Sequence, residues 1–258
     1  MNIFLIKILL FFLFIPIAVS GQISISNEDI EIHTQLTLLT VEKNDISEFE
    51  EQLRKIAKLS QKIKLEIDYE WLTYKSDSQQ YLFVNFSNGI KDILTLADYR
   101  KKFQLYNLEK EFDEYIHSIY QLDVLVNKNY IKQMLLPWST VEQISVNEFP
   151  LTTMVEYKVH SNKINEFDNQ IRKLVKVLKK TNYPYPLEGN RGFVGAYGTM
   201  TLVWFYDNRN DFEEKNKLSE WVKQYNKSEE LQSILDKINE LTDTKKVYKL
   251  TFKKELSY

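Results

Sequence analysis

The 258-residue chain contains no cysteine, three histidines, five prolines and six glycines. Without cysteine there is no disulfide, no thiolate nucleophile and no Cys-ligated metal. A three-histidine metal site would need His33, His117 and His160 together. No two of them stand at the spacing of a chelate, so no metal is expected. Cationic excess is missing too: 34 Lys and Arg face 36 Asp and Glu, for a net charge of −2. Nothing is left over to neutralise a phosphate backbone, which argues against a nucleic-acid partner. The glycines form neither a GxGxxG nor a GK[ST] phosphate loop, and there is no GxSxG elbow. What remains is globular composition, 43% hydrophobic and 27% charged.

One apolar run is long. Lys7 precedes the stretch Ile8–Val19, and Ala18-Val19-Ser20 puts small residues where a signal peptidase reads. Residues 1–20 are expected to be a secretory signal cut before Gly21. A retained anchor is the other reading, but the run is short for a bilayer span of about 20 residues. Export implies a soluble periplasmic or extracellular product, with no membrane attachment once the signal is removed.

The remainder carries an internal repeat. Val41–Leu59 aligns with Val159–Val177 at an offset of 118 residues, with Val41/Val159, Ile46/Ile164, Phe49/Phe167, Gln52/Gln170 and Arg54/Arg172 identical. Leu82-Phe83-Val84 and Leu202-Val203-Trp204 continue the parallel after a small insertion. Each copy opens with a strand, Thr34–Glu42 or Thr152–Val159. A helix follows whose apolar residues recur at three- and four-residue spacing, Ile46 to Leu59 or Ile164 to Leu178, with Asp45 as the expected N-cap of the first. Two further strands are expected in each copy, Leu65–Tyr74 and Gln80–Phe86, then Phe193–Tyr197 and Met200–Tyr206. Helices at 93–106 and 109–125 precede a closing strand at 141–146. In the second copy, helices around Leu218–Tyr225 and Leu231–Leu241 precede the strand Lys246–Lys253. The fold class is therefore α+β: two tandem ferredoxin-like β-α-β-β-α-β repeats, residues 34–148 and 151–258, packed sheet to sheet as a pseudo-dimeric barrel. The duplication supplies both halves, so a monomer is expected.

This element order, the duplication and the helix opening INEFxxxIRKL resemble the dimeric α/β-barrel superfamily, which includes antibiotic-biosynthesis mono-oxygenases, NIPSNAP-like proteins, haem-degrading enzymes and chlorite-dismutase-like proteins. The resemblance implies two ferredoxin-like sheets facing each other. As activities it implies either cofactor-independent mono-oxygenation or haem binding. It brings no catalytic motif with it, and fold alone does not fix function.

Candidate site residues come from four places. The stretch Tyr183–Gly198 holds four of the six glycines and two of the five prolines, whereas Ile63–Leu72 in the first copy has neither. Tyr183, Tyr185 and Tyr197 are candidates to line a pocket there; a loop leading into a bulged strand is the alternative. His160 ends the first strand of the second copy, with Glu156 four residues earlier. His160 and His117 are the candidate axial ligands if haem, the alternative cofactor, were bound; otherwise they are surface histidines. Glu66, Asp68 and Glu70 alternate along a strand, either as a cation site or as the wet side of an edge. The strand aromatics, Trp204 among them, are core or the lining of a cavity for an aromatic or polycyclic ligand. The expectation is an exported small-ligand-binding protein using His160, Glu156, Tyr185, Tyr197 and Trp204.

Overall fold

His33–Val41 (β1) is a leucine- and threonine-rich strand that pairs antiparallel with Gln80–Ser87 (β3), which pairs in turn with Trp71–Ser76 (β2). The computed structural model describes residues 32–63, 71–87, 96–141, 144–214 and 217–257. The signal segment and Glu66, Asp68 and Glu70 lie outside the described residues. Between β1 and β2 runs the helix Ile46–Gln61 (α1). After β3 come Leu96–Leu105 (α2) and Glu109–Tyr120 (α3), and then Val124–Met134 (β4). The second half of the chain runs Leu151–Val159 (β5), Ile164–Lys180 (α4), Leu187–Val194 (β6) and Thr199–Tyr206 (β7). The short helices Arg209–Glu213 (α5) and Lys217–Lys223 (α6) follow, then Ser228–Glu240 (α7) and Thr242–Phe252 (β8). The class is α+β with antiparallel strands. Among the described residues no helix is long and apolar enough to cross a membrane.

The chain divides into two compact units. The first holds residues 33–129 and 253–257; the second holds Ile32 and residues 130–252. In the first, the strand order is β4-β1-β3-β2. Phe49 and Leu53 of α1 pack on Leu39, Val41 and Tyr81, while Ile56 and Leu59 meet Phe103 and Phe112 of α2 and α3. Alternation along a strand puts the other side chains on the helix-free face. There Leu36, Leu38, Leu72, Tyr74, Leu82 and Val84 are all buried. In the second unit the order is β8-β5-β7-β6-β4. Phe167, Ile171, Leu174 and Leu178 of α4, with Leu231, Ile234 and Ile238 of α7, cover Val155, Tyr157, Leu187, Met200 and Leu202.

Three sequence expectations need correction. The helix expected to reach residue 125 stops at Tyr120, and β4 takes the place of the strand expected at 141–146. From Leu122 the pattern changes period: Val124 and Val126 pack on the Leu39 group, while Leu125 between them is 62% exposed. The strand expected at Phe193–Tyr197 lies earlier, at Leu187–Val194, because the chain turns through Gly195 (φ 74°) and Gly198 (φ 73°). Asp45 does not cap α1. Its backbone is helical (φ −97°, ψ −8°) rather than extended, and its carboxylate accepts the Asp123 N–H at 2.7 Å.

Candidate functional site

The helix-free face of the second sheet differs in chemistry from its counterpart in the first unit. Cross-strand register places Glu156 of β5 opposite Thr201 of β7, and Thr201 opposite Asn190 of β6. Directly opposed residues share a face, as do residues two apart on an unbulged strand, so Glu188 stands with Asn190; Tyr130 and Lys132 of β4 are placed on this face by their contacts with Glu156 and Thr201. Thr201 is fully buried, Lys132 is 0% exposed, and Tyr130, Glu156 and Asn190 are all below 9%. A buried charge is tolerated only when it is paired and hydrogen-bonded. Lys132 Nζ lies 4.0 Å from Glu156 Oε2, bonds Thr201 Oγ1, and sits 4.8 Å from the centre of the Tyr130 ring. The Tyr130 hydroxyl donates to Glu156 Oε2 at 2.9 Å. Burial, and then the neighbouring Glu156 charge, raise the Tyr130 pKa far above its usual value, so the phenol keeps its proton.

Glu188 extends the cluster. Asn190 Nδ2 donates to Glu188 Oε1 at 2.7 Å. Burial raises the Glu188 pKa, while the Asn190 bond and the Lys132 charge pull it back. Two side-chain oxygens on this face, Asn190 Oδ1 and Thr152 Oγ1, are buried without a hydrogen-bond partner. Thr152 stands four residues from Glu156 on β5 and is 3% exposed. Leaving such an atom unsatisfied costs about 1–3 kcal/mol.

The edge of this face is closed by the β6–β7 turn. A Cβ on Gly192 would come within 1.9 Å of the Ala196 carbonyl oxygen, so the turn lies directly on the glycine. The β4–β6 register shifts between Ile131 and Lys132, which makes this a bulged strand pair.

The five sequence candidates are not brought together. Glu156 belongs to the buried cluster. Trp204 and Tyr185 belong to the helix-covered side: Trp204 packs edge-on against Tyr183 with ring centres 6.0 Å apart, and Tyr185 lies against Tyr206 at 5.0 Å. The Tyr185 hydroxyl bonds Asp211 Oδ2 and accepts from Asn208 Nδ2 at 3.1 Å. Tyr197 is 68% exposed at the turn, and its carbonyl accepts Lys158 Nζ at 2.7 Å. His160 follows β5, half-exposed, with Nδ1 2.6 Å from Asp243 Oδ1. It therefore does not share the enclosed face on which Glu156 is buried. His117 is exposed on α3. A porphyrin needs an axial ligand inside an apolar enclosure, and neither His160 nor His117 fits that need. Among the described residues no three His, Asp or Glu side chains gather as a metal site would require.

Lys132, Tyr130, Thr201, Glu188 and Asn190 escaped the sequence reading. Glu188 and Asn190 lie inside the glycine-rich stretch singled out above, but its tyrosines drew the attention. The signal for Lys132 was a lone cation in the otherwise uncharged run Tyr130–Trp138, hidden because β4 was not expected there.

No family model matches the sequence, and no curated protein matches it. Solved structures do. One is a protein of Fusobacterium nucleatum subsp. nucleatum ATCC 25586, provisionally assigned as a monooxygenase. It aligns with a TM-score of 0.53 at 11% identity, covering 86% of this chain and 92% of that one. A second provisional monooxygenase, from Lactobacillus acidophilus NCFM, aligns with a TM-score of 0.51 at 11% identity, covering 86% and 94%. At that identity the likeness shows the fold and not the activity.

Proposed function

We propose that this chain binds a small hydroxylated aromatic ligand on the helix-free face of its second sheet, over Lys132 and Glu156. The observation that carries the reading is the pair of buried oxygens without partners, Asn190 Oδ1 and Thr152 Oγ1, on the same face as a buried Lys–Glu pair. A face that keeps a charge pair intact and leaves acceptors unfilled is suited to a ligand that supplies the missing donors. Lys132 would steady developing negative charge on a ligand oxygen, and Glu156 would receive its proton. That chemistry, with the fold of two provisional monooxygenases, favours the second reading, in which the aromatic ligand is oxygenated without a cofactor.

Calorimetric titration with 2-naphthol tests the first reading. Wild-type protein should bind one equivalent. Lys132→Met should abolish binding, while His160→Ala and Tyr197→Ala leave it intact. Binding that survives Lys132→Met in a folded variant, or is lost on His160→Ala, would move the site elsewhere. The second reading adds dioxygen consumption in the presence of 2-naphthol, absent in Glu156→Gln. We also propose that residues 1–20 are removed on export to the periplasm or exterior, and that the two units are duplicated copies packed sheet to sheet in a monomer. The mature protein should then begin at Gly21 by mass spectrometry; an intact Met1 on exported protein would contradict it.

A further inference from the structure

Glu188 and Asn190 are two residues apart on β6 and project from one face. The bond from Asn190 Nδ2 to Glu188 Oε1 fixes the amide. Turning the amide over would set its oxygen against a carboxyl oxygen and strand the two N–H donors. Asn190 Oδ1 is thereby held facing outward from the pair, with no partner, on a residue 4% exposed. This is an unfilled acceptor in a position where water has little access. Beside it stands a carboxyl group whose enclosure favours the protonated form more than an exposed glutamate would. Lys132 is the charged group that opposes this. A carbonyl oxygen brought alongside would tip the balance further, since only the acid form of Glu188 can donate to it.

We propose that Glu188 and Asn190 form an acceptor–donor pair that recognises a planar ligand with an N–H or O–H next to a carbonyl, a lactam or a hydroxyaryl ketone. The ligand donor would fall on Asn190 Oδ1 and its carbonyl oxygen on the Glu188 O–H. Each ligand group meets a different side chain, so blocking either one removes a hydrogen bond. This inference rests on the ligand reading of the same face, and it assigns the chemical class of the ligand.

The test compares 2-quinolone with N-methyl-2-quinolone by calorimetry on the full chain, and the first comparison needs no variant. Wild-type protein should bind 2-quinolone at least about tenfold tighter, about the 1.4 kcal/mol expected for one lost hydrogen bond. The preference should collapse below about twofold in Asn190→Leu. It should persist in Glu188→Gln, where an amide N–H replaces the acid O–H. Binding of 2-quinolone to wild type should also take up protons from buffer, an effect absent in Glu188→Gln. Circular dichroism confirms that each variant is folded. Equal affinity for both probes overturns this inference while leaving the ligand site standing. So does binding of 2-naphthol alone, and so does a preference that survives in folded Asn190→Leu. If none of the three probes binds, both readings fall.

Discussion

Lys132 is the residue on which the site's energetics turn. Its ammonium group is wholly buried and is held by Glu156, Thr201 and the Tyr130 ring. Removing one member of a buried ion pair leaves the other uncompensated, at a cost of about 3–5 kcal/mol. Lys132→Met should lower the free energy of urea unfolding by about that amount. Adding Glu156→Gln, which can still accept the Tyr130 hydroxyl, should recover at least about 1 kcal/mol, because the stranded charge is gone. Additive losses would mean that the two charges do not sense each other. Asn190 Oδ1 presents the opposite case: an atom that lowers stability as it stands is expected to be retained for what it binds.

Helix α5 shows how a short element is fixed by side-chain chemistry. The Asn208 side chain caps it, accepting the Asp211 N–H at 3.0 Å. Asp211 then gathers Lys217 at 2.8 Å together with Tyr185 and Asn208. The Lys217 contact first, and then the hydroxyl and amide bonds, hold the Asp211 pKa down to about 2 from 3.8. A carboxylate with a depressed folded pKa stabilises the protein above its unfolded pKa and loses that contribution as pH falls through the folded one. Acid unfolding should therefore steepen between about pH 4 and pH 2, and Asp211→Asn should flatten that part of the curve; an unchanged acid limb would show the network to be inert. The turn after β6 depends on bulk instead. Gly192→Ala would drive a methyl group into the Ala196 carbonyl and should cost about 1–3 kcal/mol in thermal stability.

At this scale much was legible in the sequence. The stripes Phe49–Leu53–Ile56 and Phe167–Ile171–Leu174 place α1 and α4 to within two residues, because a helix that buries one face repeats its apolar residues strictly. The run after Tyr120 was not legible. Ile116, Ile119 and Val126 can be read on a helix, and only tertiary packing of Val124 and Val126 on Leu39 decides for a strand. That one misreading hid Tyr130 and Lys132, and with them most of the site. Asp45 failed as a cap for a similar reason: its distant partner, the Asp123 N–H, belongs to the approach to β4.

Over the whole chain, two units with the same strand order, β4-β1-β3-β2 and β8-β5-β7-β6, carry different chemistry on their helix-free faces. In the first unit buried leucine, valine and tyrosine make up most of this face; in the second, Lys132, Glu156 and Asn190 are buried there beside Met154, Phe205 and Leu250. Alternation in the sequence shows that a strand has two faces, but it does not show which of them the helices take. The polar face therefore could not be assembled from β4, β5, β6 and β7 before the register was known. If the duplicated units complete each other within one chain, sedimentation equilibrium should return the mass of a single chain; a stable dimer would contradict that reading.

The most direct test of the central claim is the side-chain amide resonance of Asn190 in a nitrogen-15 spectrum, identified by its loss in Asn190→Leu. Titration with 2-naphthol should shift that resonance together with the Thr201 and Glu156 backbone amides. Shifts confined to the neighbourhood of Tyr197, His160 and Asp243, with Asn190 unmoved, would place the ligand elsewhere and contradict the account.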